Sequence, residues 1–153
     1  MQLMKLRKLI KDYLKKAKLM QLSTSVNNQP WTCSVWFASD EELNIYWFSS
    51  TTRRHSKEVM RNPKVGGAIV LPHTPADKPR GLQFQGIAEQ VKSKREIAKA
   101  SLLFISRIFT KKQIIDFMKL RDNPHSFYRL KPTLFVLFDA VNFPNQSRQE
   151  YKI

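Results

Sequence analysis

Between Leu19 and Ala38 apolar and polar residues alternate on both sides of Asn27-Asn28-Gln29-Pro30, a pattern that commits this stretch to a β-hairpin. On the first arm Met20, Leu22, Thr24 and Val26 alternate with Gln21, Ser23 and Ser25; on the second Trp31, Cys33, Val35 and Phe37 share one face. Asp40-Glu41-Glu42 then turns the chain into a third run, Leu43 to Phe48, in which Leu43, Ile45 and Trp47 alternate with Asn44, Tyr46 and Phe48. Three more strands are expected at Val65–Leu71, Gly81–Val91 and Leu130–Val141, with Gly86 marking a bend or a close approach by a ligand in the fifth. The fold this predicts is mainly β, a small closed barrel of six strands with flanking helices.

The helices follow a different period. Leu3, Leu6, Ile10, Tyr13, Leu14 and Ala17 stand three to four apart, an amphipathic helix best packed on its own domain. Ser93 caps a helix expected to run through about Phe109, and Lys111–Leu120 reads as another. Pro72–Arg80, with three prolines, is a loop, and the tail NFPNQSRQEYKI reads as irregular.

The stretch with the most chemistry is Leu43–Pro63, LNIYWFSSTTRRHSKEVMRNP. An aromatic strand runs through Ser49, Ser50, Thr51 and Thr52 into a short basic helix over 53–61, closed by Asn62-Pro63 because the residue before proline is pushed out of the α region. Hydroxyl groups at that junction are expected to cap the helix, whose free amides and positive dipole end favour a phosphate. Arg53, Arg54, His55, Ser56 and Lys57 add charge and donors there.

At 153 residues the chain reads as one domain, 1–153, long enough to bury a core, and it has no apolar run of membrane-spanning length. The first residues lack the apolar stretch of a secretory signal, and with the single cysteine Cys33, read as a packed thiol, a cytoplasmic protein is expected. A net charge of +15 admits a polyanionic partner such as nucleic acid, but no recognised nucleic-acid motif accompanies it and solvated faces are the commoner outcome. His55, His73 and His125 are too scattered for a zinc site, and GxSxG, Walker and GxGxxG motifs are absent.

The order of segments MQLSTSVNNQPWTCSVWFASDEELNIYWFSSTTRRHSKEVMRNPKV and GLQFQGIAEQV resembles the pyridoxamine 5'-phosphate oxidase-like family of FMN-binding split barrels. The resemblance implies a six-stranded antiparallel split β-barrel that dimerises and holds FMN at the dimer interface. It places Ser34, Val35 and Trp36 along the isoalloxazine, Phe48, Ser49 and Ser50 at the ribityl and phosphate side, and Arg53, Arg54, His55 and Ser56 at the phosphate. Lys57 approximates the family's lysine beyond that turn, and Gln83 and Gln85 offer amides toward the ring. QSRQEYKI does not match the family's substrate-binding arginine and histidine, which argues against vitamin B6 oxidation. The expected function is a homodimeric, FMN-dependent oxidoreductase acting on a small molecule of unknown identity. The alternatives are a flavin- or haem-binding barrel without turnover and a basic nucleic-acid-binding protein. Trp31, Trp36, Trp47 and Phe37 are the aromatics available for a dimer interface.

Overall fold

The computed structural model describes residues 1–105 and 107–153. The elements run α1 (Gln2–Lys16), β1 (Leu19–Val26), β2 (Gln29–Ser39), β3 (Ile45–Ser50), α2 (Arg54–Arg61), β4 (Lys64–Ile69), β5 (Arg80–Gln90), α3 (Lys94–Ile105), α4 (Lys111–Met118), β6 (His125–Asp139) and β7 (Arg148–Lys152). All strands pair antiparallel in the order β3-β2-β1-β4-β5-β6-β7, and a further pairing of β3 with β6 closes the first six into a ring. This is the expected barrel architecture. The β1–β2 hairpin turns on Asn27 and Asn28, both at positive φ (53° and 61°), which fixes Val26 opposite Gln29 and with it the whole register.

Within the ring Met20, Leu22, Val35, Phe37, Ile45, Trp47, Leu82, Phe84, Leu130 and Phe135 form one core, into which α1 inserts Leu6, Ile10 and Leu14. Trp47 stacks on Tyr128 with centroids 5.4 Å apart. β3 is buried on both faces, because Tyr46 and Phe48 turn outward into a second core under α3 and α4 that contains Ala100, Phe104, Ile114 and Phe127. Trp47 and Phe37, expected among the interface aromatics, are therefore core residues with no exposed surface.

Gly86 shows why its position needs glycine: an added Cβ would stand 2.2 Å from the Lys131 carbonyl oxygen and 2.8 Å from Pro132 Cα. The register shifts there, from Gln85 opposite Leu134 to Gly86 opposite Pro132. Proline has no amide to give the ladder, and the bulge absorbs the missing bond. The close neighbour at Gly86 is thus the β6 backbone, and the bulge is the irregularity expected there.

Four boundaries differ from the sequence reading. The tail is not irregular: Arg148–Lys152 is a seventh strand on the edge of β6 that β3 leaves free, with Phe135 opposite Tyr151. β6 begins at His125 rather than Leu130, since Ser126 to Arg129 are needed to pair β3. Leu43 is not in the strand; it takes φ 70° in a turn where Asp40 Oδ1 accepts from the Glu42 and Asn44 amides and Oδ2 from Asn44 Nδ2 and Lys99 Nζ. α3 is described to Ile105, short of the expected Phe109, while the second expected helix does start at Lys111, behind a capping box of Thr110 and Gln113. Ser106 lies outside the described residues.

Candidate functional site

The end of β3 delivers the chain into α2 through a turn whose polar groups are largely committed. Ser50 Oγ bonds to Thr52 Oγ1 (2.8 Å) and to Asn123 Oδ1, and Thr52 Oγ1 donates to the same Asn123 oxygen at 3.0 Å. Ser56, fully buried, donates to the Ser50 carbonyl at 2.7 Å and thereby fixes α2 on the strand end. The cap itself departs from the expectation: Arg53 is the N-cap residue, and among the described residues no side chain caps the helix. The hydroxyls that were to cap the helix instead tie the turn to the segment before β6. Amides in a first helical turn have no intrahelical acceptor, so this turn presents uncapped donors with the exposed Arg53 beside them.

His55, half-buried in that turn, keeps Nε2 without a partner. Burial and the neighbouring Arg53 hold its pKa below the ordinary histidine value against the opposing effect of Glu58. At neutral pH it is an uncharged imidazole able to donate or accept.

Arg54 points to the other side of the helix. Its guanidinium lies over the Trp31 ring, 4.0 Å from the centroid, and its Nε donates to Glu58 Oε2 at 3.0 Å. Arg54, Lys57 and Arg61, with Glu58 beneath them, form one wall of a groove of about 570 Å³ whose other wall includes Asn27 and Gln29 of the hairpin.

The remaining anticipated site residues fall on two surfaces. Ser34 and Trp36 point outward from β2, whereas Val35 between them turns into the core. Ser34 is opposite Gln21, Gln21 is opposite Ala68, and Ala68 is opposite Gln83, so the register draws Ser34, Gln21 and Gln83 into one row across four strands. Ser34 Oγ donates to Gln21 Oε1 at 3.1 Å. Gln85 belongs to the next row, facing out beside Gly66. Phe48 lies away from this face, stacked on Phe127 at 4.5 Å, and Ser49 is buried opposite Ser126. The outer face also exposes Leu19, Trp36 and Phe138. Trp31 and Thr32 lead along β2 to Ser34; three residues from Trp31, whose ring carries Arg54, is roughly 10 Å.

Two site features escaped the sequence reading. Asn123 buttresses the turn from a loop 71 residues away from Thr52, which no local pattern reveals. Gln21 was legible, because the two-residue turn sets it opposite Ser34. Cys33 faces inward, and burial, assisted by Glu58, pushes its thiol up to about 11, so it is a packed thiol. Among the described residues, no group of three or more His, Cys, Asp or Glu side chains is placed to hold a metal ion, and no helix is long and apolar enough to cross a membrane.

A ring of six antiparallel strands with flanking helices is the split-barrel arrangement. The family model for pyridoxamine 5'-phosphate oxidase matches residues 6–135, and the chain belongs to that family. A UPF0306 protein of Pasteurella multocida is 29% identical over 87 residues, covering 56% of this chain and 58% of the relative. A heme binding protein of Mycobacterium smegmatis shares the fold with a TM-score of 0.76 at 15% identity, over 95% of this chain and 57% of that one. HutZ, the heme storage protein of Vibrio cholerae, does so with 0.66 at 24% identity, over 82% and 88%. The chain thus spans less than two thirds of the first two, and the likeness to the two solved structures is one of fold.

Proposed function

We propose that the chain binds FMN, with the phosphate at the amino end of α2 and the ring along the outer face of β1, β2 and β5, and works as a homodimeric flavin-dependent oxidoreductase on a small-molecule substrate. The observation that carries this reading is the first turn of α2, which among the described residues has no side-chain cap and has the exposed Arg53 at its N-cap, so that free amides, the helix dipole and a cation lie together. A phosphate dianion needs several charge-assisted donors at once, and this turn offers them without displacing any internal bond. His55 lies in the same turn with its unpartnered Nε2 shielded from solvent, and Ser50 and Ser56 form the buried floor that keeps the turn in shape.

The outer face supplies the other requirements. Ser34, Gln83 and Gln85 offer polar contacts to the edge of a ring, Trp36 offers an exposed aromatic surface, and Val35 and Phe48 support the strands from behind. When bound, the flavin supplies the redox chemistry; the chain's own groups bind and orient it. A second copy laid on the exposed Leu19, Trp36 and Phe138 would shield that ring from water. The purified protein tests the reading directly: flavin absorbance, or its appearance on titration with FMN, supports it, and failure to bind FMN at micromolar concentration removes it.

Haem binding is a second reading, favoured by two proteins of this fold whose names assign them haem binding and haem storage. A Soret band in the same spectrum, in place of flavin bands, would select it.

A further inference from the structure

The net charge of +15 is not spread evenly over the chain. Residues 1–18 carry Lys5, Arg7, Lys8, Lys11, Lys15, Lys16 and Lys18 against the single acid Asp12. The other basic helices hold counter-charge of their own: Glu58 in α2, Glu96 in α3 and Asp116 in α4 are each ion-paired. On α1 Lys11 and Lys15 share the one carboxylate of Glu41, and Lys5 sets its ammonium over the Phe143 ring at 5.1 Å, which leaves its charge in place. Lys8, Lys16 and Lys18 are exposed and, among the described residues, have no carboxylate partner. This surplus stands on a fixed ridge. Leu6, Ile10, Tyr13 and Leu14 are buried against the barrel, and Tyr13 Oη accepts from the Leu71 amide at 3.1 Å, so the helix cannot roll its lysines away. From Lys5 to Lys16 the ridge runs for roughly 16 Å, with Lys18 beyond its end. The carbonyl end of α1, which repels anions, is covered by Arg107, which donates to the Leu14 carbonyl at 3.1 Å and to that of Ala17.

A partner for such a ridge is a polyanion whose charges repeat over its whole length. An anionic bilayer is the poorer match, because α1 commits its apolar face to the barrel core and its large exposed apolar residues are confined to Met1, Leu3 and Met4 at its start. Duplex nucleic acid presents a phosphate about every 1.7 Å of axis and needs only cations to meet it. We propose that the solvent face of α1, continued by Lys18, binds the phosphate backbone of duplex nucleic acid, a function separate from flavin binding at the amino end of α2. The helix has no second face to bring to base edges, since that face lies on the barrel, so the contact is with phosphates and carries no sequence preference.

The test is fluorescence anisotropy of a short labelled DNA duplex of arbitrary sequence, titrated with the full chain between about 50 and 200 mM salt. The logarithm of the wild-type binding constant should fall against the logarithm of salt with a slope of about −4, the mark of roughly four to five neutralised phosphates. Lys8→Gln should make that slope shallower by about one, and Lys8→Gln/Lys16→Gln/Lys18→Gln by about three, with binding at low salt weakened about tenfold or more. Lys92→Gln/Lys94→Gln/Lys111→Gln removes the same charge from other exposed positions and should leave the slope within about half a unit of wild type. None of these lysines makes an ion pair among the described residues, so thermal midpoints should stay at the wild-type value and confirm that every variant is folded. Absence of binding at low salt, or equal losses in the two triple variants, overturns the surface. Uptake of the wild type by phosphatidylglycerol–phosphatidylcholine vesicles as strong as its binding to the duplex, and lost in the α1 triple variant, overturns the nucleic-acid assignment in favour of a lipid surface.

Discussion

Arg54 lies over Trp31, its guanidinium carbon 4.0 Å from the ring centroid, and so pins the first turn of α2 to β2. The same head group is the cation for Glu58, whose side chain is nearly out of solvent. Arg54→Ala removes both contacts and strands a buried carboxylate. Because Arg54 is itself half-exposed, the expected loss is discounted to roughly 1–3 kcal/mol. Urea unfolding measures it, and adding Glu58→Gln to Arg54→Ala should recover part of the loss. A change within about 0.5 kcal/mol, ordinary for a surface residue, would contradict this role.

Asp40 organises the turn that Leu43 completes at positive φ. It accepts from two amides, from Asn44 Nδ2 and from Lys99. Asp40→Ala should therefore cost roughly 2–4 kcal/mol, more than the truncation of a single hydrogen bond. Lys99→Met, which leaves the turn's amide bonds in place, should cost less. Equal losses in thermal unfolding would show that the ion pair, not the turn, carries Asp40's contribution.

Stability should decline on acidification in two stages. Burial and Arg53 hold the His55 pKa below 6.5, so as pH falls past that value the unfolded chain takes up a proton that the folded one resists. For Asp40 burial alone would raise the pKa, but Lys99 and Asn44 outweigh it; for Asp139 the contributions of Asn142, Arg80 and Val141 do the same. Both carboxyls therefore titrate below 3.8 when folded, and their contribution, present above that value, is lost as pH falls through the folded pKa. His55→Gln should flatten the first stage and Asp40→Asn the second, measured as unfolding free energy against pH. Unchanged slopes in these variants would refute the assignment.

The hairpin and the four strands β3 to β6 were legible from apolar alternation or, for β4, from a short apolar run. β7 was not: Arg148, Glu150 and Lys152 carry charge outward, and only Gln149 and Tyr151 are part-buried, so its strand character comes from the free edge of β6 rather than from its own residues. Leu43 was misplaced for a related reason, since a leucine in alternation looks like strand until Asp40 is seen to hold it in a turn. At the site, the basic turn was visible as a run of residues, but which arginine is free was not. That depended on Trp31 and Glu58 claiming Arg54 from different parts of the chain.

Cys33 should be inert. With its thiol pushed up to about 11, almost no thiolate exists at pH 8, and alkylation of the native protein should be slower than that of the urea-unfolded protein by roughly a hundredfold. Comparable rates in the two states would show that the thiol is open to solvent.

The outer face should mediate dimerisation through Trp36, which is 49% exposed on the isolated chain. Light scattering is expected to give a dimer at micromolar concentration and a monomer for Trp36→Glu. A wild-type monomer in the presence of FMN would remove the interface from the account.

The central claim is that the amino end of α2 binds a flavin phosphate, and the most direct measurement compares FMN with riboflavin on wild type and on Arg53→Ala. FMN should bind the wild type more tightly than riboflavin does. Arg53→Ala should weaken FMN by about ten- to a hundredfold, the worth of a lost charge-assisted bond of roughly 1–3 kcal/mol, and leave riboflavin nearly unchanged. Equal binding of the two flavins to wild type, or equal loss of both in Arg53→Ala, would contradict the claim.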